Sequence, residues 1–86
     1  MNVLLAGSES QERVELLLKL TKISEQHAKA ISMHLVTGVS EDYAAGVYSV
    51  NKSNLSRSLK ALNETAKVVE RIKEIDWAHL QTKVGA

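Results

Sequence analysis

Apolar positions along the chain recur at spacings of three and four, the rhythm of a helix with one buried face, and no segment shows the strict alternation of a half-buried strand. A short apolar arm, Val3, Leu4 and Leu5 before Gly7, has two destinations open to it: the body of its own domain or another subunit. Ser8 with Gln11 three places on has the form of a capping box, which predicts a helix opening there and running to about Thr21. Val14, Leu17, Leu18 and Leu20 make its stripe, and Leu16 widens the apolar face. Ser24 stands at the N-cap of a second helix over residues 25–37, with Ala28, Ile31, Leu35 and Val36 inward and Gly38 as a left-handed stop.

The stretch VSEDYAAGVYSVNKSNLSRSLKALN, residues 39–63, reads as a helix-turn-helix around which the other elements are arranged. Ser40 caps a short helix over residues 41–48, with Ala44, Ala45 and Val47 on its inner side. Ser49 and Val50 make the turn, and Asn51 caps a second helix that runs from Lys52 to at least Leu62 on a stripe of Leu55, Leu59 and Leu62. Ala45, Val50 and Leu55 fall five apart, matching the small residue and two buried aliphatics of that motif. Ser49 takes the turn position usually held by glycine, so it must adopt a left-handed backbone or use a different turn.

With the leucines inward, Lys52, Ser53, Ser56, Arg57 and Lys60 point outward near the start of the second helix. That is where the major-groove mode of the motif meets base edges and phosphates. A C-terminal helix over residues 65–80 carries Val68, Val69, Ile72 and Ile75 on one face, and Trp77 follows as an anchor for packing or for an interface. Asn63 either interrupts the motif's second helix or continues it. The pattern predicts an all-α domain of four to five helices spanning residues 1–86, with the helix-turn-helix at 40–62.

Charge changes this picture more than composition does. The net charge is only +1, but residues 50–73 carry a balance of +4, residues 1–49 of −2 and residues 74–86 of −1, so a near-neutral total conceals a basic second half. With 86 residues the core is small, and oligomerisation is a natural source of further stability. The chain has no cysteine, which excludes disulfides, thiolate metal sites and a cysteine nucleophile. No apolar run approaches the roughly 20 residues needed to span a bilayer, and the start lacks the form of a signal sequence. His27 and His34 lie seven apart on one helix face but find no third ligand in the sequence, so no metal or other cofactor is expected. Neither a nucleophile elbow nor a glycine-rich phosphate loop is present, which argues against an enzyme and leaves no small-molecule substrate evident.

Several pieces stand in collinear order: Val3-Leu4-Leu5-x-Gly7-Ser8, the Leu17-Leu18 pair, Leu35-Val36-x-Gly38-x-Ser40, Tyr48, the Val50-Asn51 turn, Ser56-x-x-Leu59-x-x-Leu62 and Val69-x-Arg71. Through them the chain resembles the PapB/FocB family of transcription regulators of fimbrial (adhesin) operons from near its start to Ile72. Residues 41–47 depart from the usual family wording. The resemblance implies a cytoplasmic, nucleoid-associated regulator that binds AT-rich double-stranded promoter DNA as a homo-oligomer, with an approach to the minor groove also known for such proteins.

Joined to the residue pattern, this gives Arg57 as a reader of base edges, because a guanidinium bonds two groove acceptors at once. Asn51, Lys52, Ser53, Asn54 and Ser56 are expected beside it on bases or phosphates, and Lys60, Lys67 and Arg71 on the backbone. Val3, Leu4, Leu5, Val68, Ile72 and Trp77 are the candidates for contact between subunits. A reading from another class stays open: a helical protein-interaction module in which the Val68–Trp77 surface takes a partner helix and the basic face is merely solvated.

Overall fold

The computed structural model describes residues 4–85, with side chains to Ala78, and shows four helices: α1 (Gln11–Lys19), α2 (Glu25–Thr37), α3 (Glu41–Val47) and α4 (Lys52–Gly85). No strand occurs among the described residues. The described part is an elongated all-α unit of about 55 × 22 × 22 Å, with α2 packed against each of the other three helices. No helix among the described residues is long and apolar enough to cross a membrane.

α1 starts later than the Ser8–Gln11 pattern predicts. Gly7 adopts a left-handed φ of 77° and Ser8 turns back so that its hydroxyl donates to Leu5 O at 2.8 Å, which takes Ser8 out of capping. Ser10 is the N-cap instead, its Oγ accepting from Arg13 N at 3.1 Å. Val14 and Leu17 are buried, whereas Leu16 and Leu20 are exposed, because one helix face meets only as much core as its neighbours offer.

α2 keeps the expected bounds and ends at Gly38, left-handed at φ 83°, whose N–H donates to His34 O. Its N-cap Ser24 has the right backbone angles but spends its hydroxyl on the His27 ring, 2.6 Å away, rather than on a backbone N–H. Ile31 and Leu35 are buried as the stripe requires, joined by Ala30.

The N-terminal arm takes the first of its two destinations. Leu4 is buried in the domain's own core, so it is not available for contact between subunits, while Leu5 is exposed and Val3 lies outside the described residues. Gly7 N–H and Glu9 N–H both donate to Leu35 O, satisfying a carbonyl in the last turn of α2 that has no partner within the helix. Gly7 and Gly38 meet backbone to backbone: a methyl group on Gly7 would stand 3.2 Å from Gly38 Cα.

The motif's second helix and the C-terminal helix are one element. α4 runs straight through Asn63, which is buried at 7% exposure and whose Oδ1 accepts a hydrogen bond from Leu4 N at 3.2 Å. That contact joins residues 59 apart in sequence and explains a polar side chain on the helix's inner face. Leu55, Leu62 and Ala66 complete the core, with Leu59 and Val69 half-buried beside it. Further along, Arg13 bridges Glu9 and Glu70, tying α1 to α4.

Candidate nucleic-acid interface

The start of α4 is held in place by α2, by α3 and by its own N-cap. Ser40 caps α3, its Oγ accepting from Tyr43 N, and Ala44 and Ala45 bury the inner face of that helix. Val47 does not join them: it is 48% exposed at the last position of α3, where the small core offers no wall to cover it. Val50 N–H then donates to Ala45 O at 2.9 Å, and Gln26 of α2 donates from Nε2 to Tyr48 O, so the turn is fixed by α2 and α3 together.

Ser49 adopts φ 54°, the left-handed conformation that glycine would take at this position without steric cost. Asn51 ends the turn and caps α4, its Oδ1 accepting from Asn54 N at 3.2 Å. With Ala45 and Leu55 buried and Val50 half-buried, the spacing of five is consistent with a helix-turn-helix.

This local geometry turns Lys52, Ser53, Asn54, Ser56, Arg57 and Lys60 outward, all exposed. Two of them are already engaged: Lys52 Nζ lies 3.0 Å from Asp42 Oδ1, and the Ser56 hydroxyl donates to Glu41 Oε1 at 2.8 Å. Among the described residues Arg57 and Lys60 have no ion-pair partner. Asn51 has its carbonyl oxygen committed to the cap, which leaves its amide N–H groups for any outside contact.

Lys67 and Arg71 are not brought into this cluster. They stand about 15 and about 21 Å farther along the axis than Arg57, from the helical rise per residue. Each has a carboxylate of its own, Lys67 with Glu64 at 3.2 Å and Arg71 with Glu74 at 3.0 Å. A groove of about 560 Å³ runs between the arm and this side of α4, its walls including Glu41, Ser56, Lys60, Glu64 and Lys67. Its charges alternate in sign, so the basic face is strongest at the first turns of α4 and broken beyond them.

The contacts of Glu41 and Asp42 are what the sequence pattern missed. Acids in the first turn of a helix have an ordinary role opposite the helix dipole, and that role hides a second one. The available signal was their place one helix before a run of outward basic and hydroxyl residues, across a tight turn.

The histidines that fall seven apart are occupied locally. His27 Nδ1 faces Ser24 Oγ, and His34 Nδ1 lies 2.6 Å from Val39 O. Among the described residues no three His, Cys, Asp or Glu side chains gather where they could hold a metal ion.

Of the apolar candidates for an interface, Val68, Ile72 and Trp77 are exposed at 60, 52 and 62%, with Ile75 at 54% between them. Val68, Ile72 and Ile75 follow each other at four and three, forming a stripe beyond the reach of the monomer core.

No curated protein and no solved structure matches the chain. A family model does, and it covers residues 1–75, the arm, all of α1, α2 and α3, and α4 as far as Ile75. By that match, the chain belongs to the PapB family of adhesin biosynthesis transcription regulatory proteins.

Proposed function

We propose that the protein regulates a fimbrial operon by binding AT-rich promoter DNA directly, as a homo-oligomer, through the first turns of α4. The observation that carries this reading is the exposed group of Ser53, Asn54, Arg57 and Lys60 on a helix start whose position is fixed by a capped turn and by the Gln26 contact. Rigid placement matters because base-edge contacts demand a defined geometry, whereas phosphate contacts tolerate more freedom. Arg57 reads bases; Asn51, Lys52, Ser53, Asn54 and Ser56 contact bases or phosphates around it. Lys60 binds the backbone.

Lys67 and Arg71 join only if α4 lies along the duplex. A helix entering a groove by its N-terminal end would leave them behind by the about 15 to 21 Å already noted. Leu5, Val68, Ile72 and Trp77 supply the contact between copies. Such a regulator works in the cytoplasm on the nucleoid and needs neither a cofactor nor a catalytic group.

The exposed Val68, Ile72, Ile75 and Trp77 surface also suits a partner helix, so the competing function is protein interaction without specific DNA binding. A gel-shift titration separates the two, with AT-rich promoter DNA from the protein's own genomic neighbourhood set against GC-rich DNA of equal length at two salt concentrations. Preferential shifts that weaken with salt and climb in steps are expected, since phosphate contacts release counterions and several subunits occupy one site. Absence of any shift at low salt would transfer the function to the protein-interaction surface. Groove choice follows from repeating the titration with a minor-groove ligand in competition.

A further inference from the structure

We propose that Glu41 and Asp42 act as a guard on the DNA-contact face, holding Ser56 and Lys52 away from phosphates so that the protein discriminates against non-specific DNA. This inference rests on the DNA-binding reading of α4 and adds two residues of opposite charge to it.

The guard differs from most other ion pairs among the described residues, Arg13–Glu70 being the other that joins two helices. Most described pairs join residues three or four apart, as Lys29–Glu25, Lys67–Glu64, Arg71–Glu74 and Lys73–Glu70 do. Asp42–Lys52 instead crosses from α3 to α4, and Glu41–Ser56 crosses the same boundary one turn farther along α4. Both acids therefore reach out of their own helix and end on candidate DNA contacts.

The chemistry favours an exchangeable contact over a structural brace. The Lys52 and Asp42 side chains are 59 and 70% exposed, and an exposed pair of that kind contributes between nothing and about 1 kcal/mol. A phosphate oxygen can therefore take Lys52 from Asp42. The released carboxylate then stands beside a polyanion, and Glu41 is in the same position when Ser56 turns to DNA.

Binding by phosphates alone meets this repulsion with nothing to offset it. Binding that reads bases through Arg57, Ser53 and Asn54 depends less on Lys52 and Ser56, so it meets less of this repulsion and the ratio of specific to non-specific affinity rises. Lys52 also has a carboxylate beside it before DNA arrives, which lowers the number of counterions that binding displaces.

Asp42→Asn and Glu41→Gln keep the shape of each side chain and remove its charge. They are compared with wild type and with Glu12→Gln, which makes the same change in net charge on α1, on promoter DNA and on random-sequence DNA across a salt series. Folding of each variant is checked by circular dichroism.

For Asp42→Asn, affinity for random DNA is expected to rise about two- to fivefold, the effect of removing one like charge if a phosphate docks at about 8 Å from it. The salt slope should steepen by a part of the about 0.9 that one whole phosphate contact gives. Promoter affinity should rise less, and Glu12→Gln should show neither effect. Glu41→Gln should act in the same direction.

Equal gains on both DNAs that Glu12→Gln reproduces would reduce the effect to net charge and overturn the guard. Unchanged or weakened binding by folded Asp42→Asn and Glu41→Gln, with wild type binding normally, would overturn it while leaving the DNA-binding reading intact. Failure of wild type to bind either DNA would remove both.

Discussion

The two halves of α4 share one uninterrupted backbone and differ in nearly everything else. Up to Ala66 the helix has an opposing wall: Leu55, Leu62 and Ala66 are buried in the core that α4 shares with α1, α2 and α3, and Asn63 holds the N-terminal arm through Leu4. From Arg71 to Ala78 every side chain is exposed, and Arg13 on Glu70 ties the helix to α1 just before that stretch. Helical period is equally good in both halves. A stripe thus records that a face is suited to burial, and only the presence of another element decides whether the monomer buries it.

The strongest way to break this contrast is to empty the wall. Leu62→Ala should lower unfolding free energy by about 2–5 kcal/mol in urea denaturation, the range for deleting a buried leucine. Next comes the arm that closes the near half. Gly7→Ala forces a side chain into a left-handed backbone against Gly38, and a cost of about 1–3 kcal/mol is expected in the same assay.

Arg57→Ala tests the outer surface of the near half. It should weaken promoter binding by about 1–3 kcal/mol in gel-shift titration, the worth of a bidentate base contact, with unfolding midpoint unchanged. Ser49→Gly works in the other direction. By relieving the positive φ it should raise stability by about 0.5–1 kcal/mol, visible as a later thermal midpoint.

Ile72→Ala is the smallest and sharpens the comparison most. At low protein concentration it should change stability by less than about 0.5 kcal/mol, because its side chain has no core to leave. A loss as large as that of Leu62→Ala would mean that the far half is packed even in the isolated chain.

Local chemistry made much of this fold legible. The Ala45, Val50 and Leu55 spacing, the Gly38 stop and the Asn51 cap each depend on a few neighbouring residues and each is where the sequence places it, and Ser49 takes the left-handed one of the two courses open to it. What escaped depended on distant partners or on competition. Ser8 lost the cap to Ser10 because Gly7 turned the chain, and whether Asn63 interrupts or continues its helix stayed open because its partner, Leu4 N–H, lies at the other end of the sequence. Val47, Leu16 and Leu20 are apolar yet exposed, since a small core runs out of wall before the stripes run out of residues.

At the interface, the outward basic and hydroxyl residues were readable from the leucine stripe alone. Their engagement by Glu41 and Asp42 needed the turn's three-dimensional course.

Continuity of α4 also makes it a graded probe of its own surroundings. Amide protons around Leu55 to Ala66 should exchange with deuterium only when the whole domain opens, whereas those from Ile72 to Ala78 need only the fraying of a few turns, so protection should fall steadily along one helix. If a second copy covers the stripe at Val68, Ile72 and Ile75, the outer amides should gain protection as protein concentration rises while the inner ones stay as they were. The bend in that gradient would then mark, residue by residue, where one subunit ends its self-support and another begins to supply it.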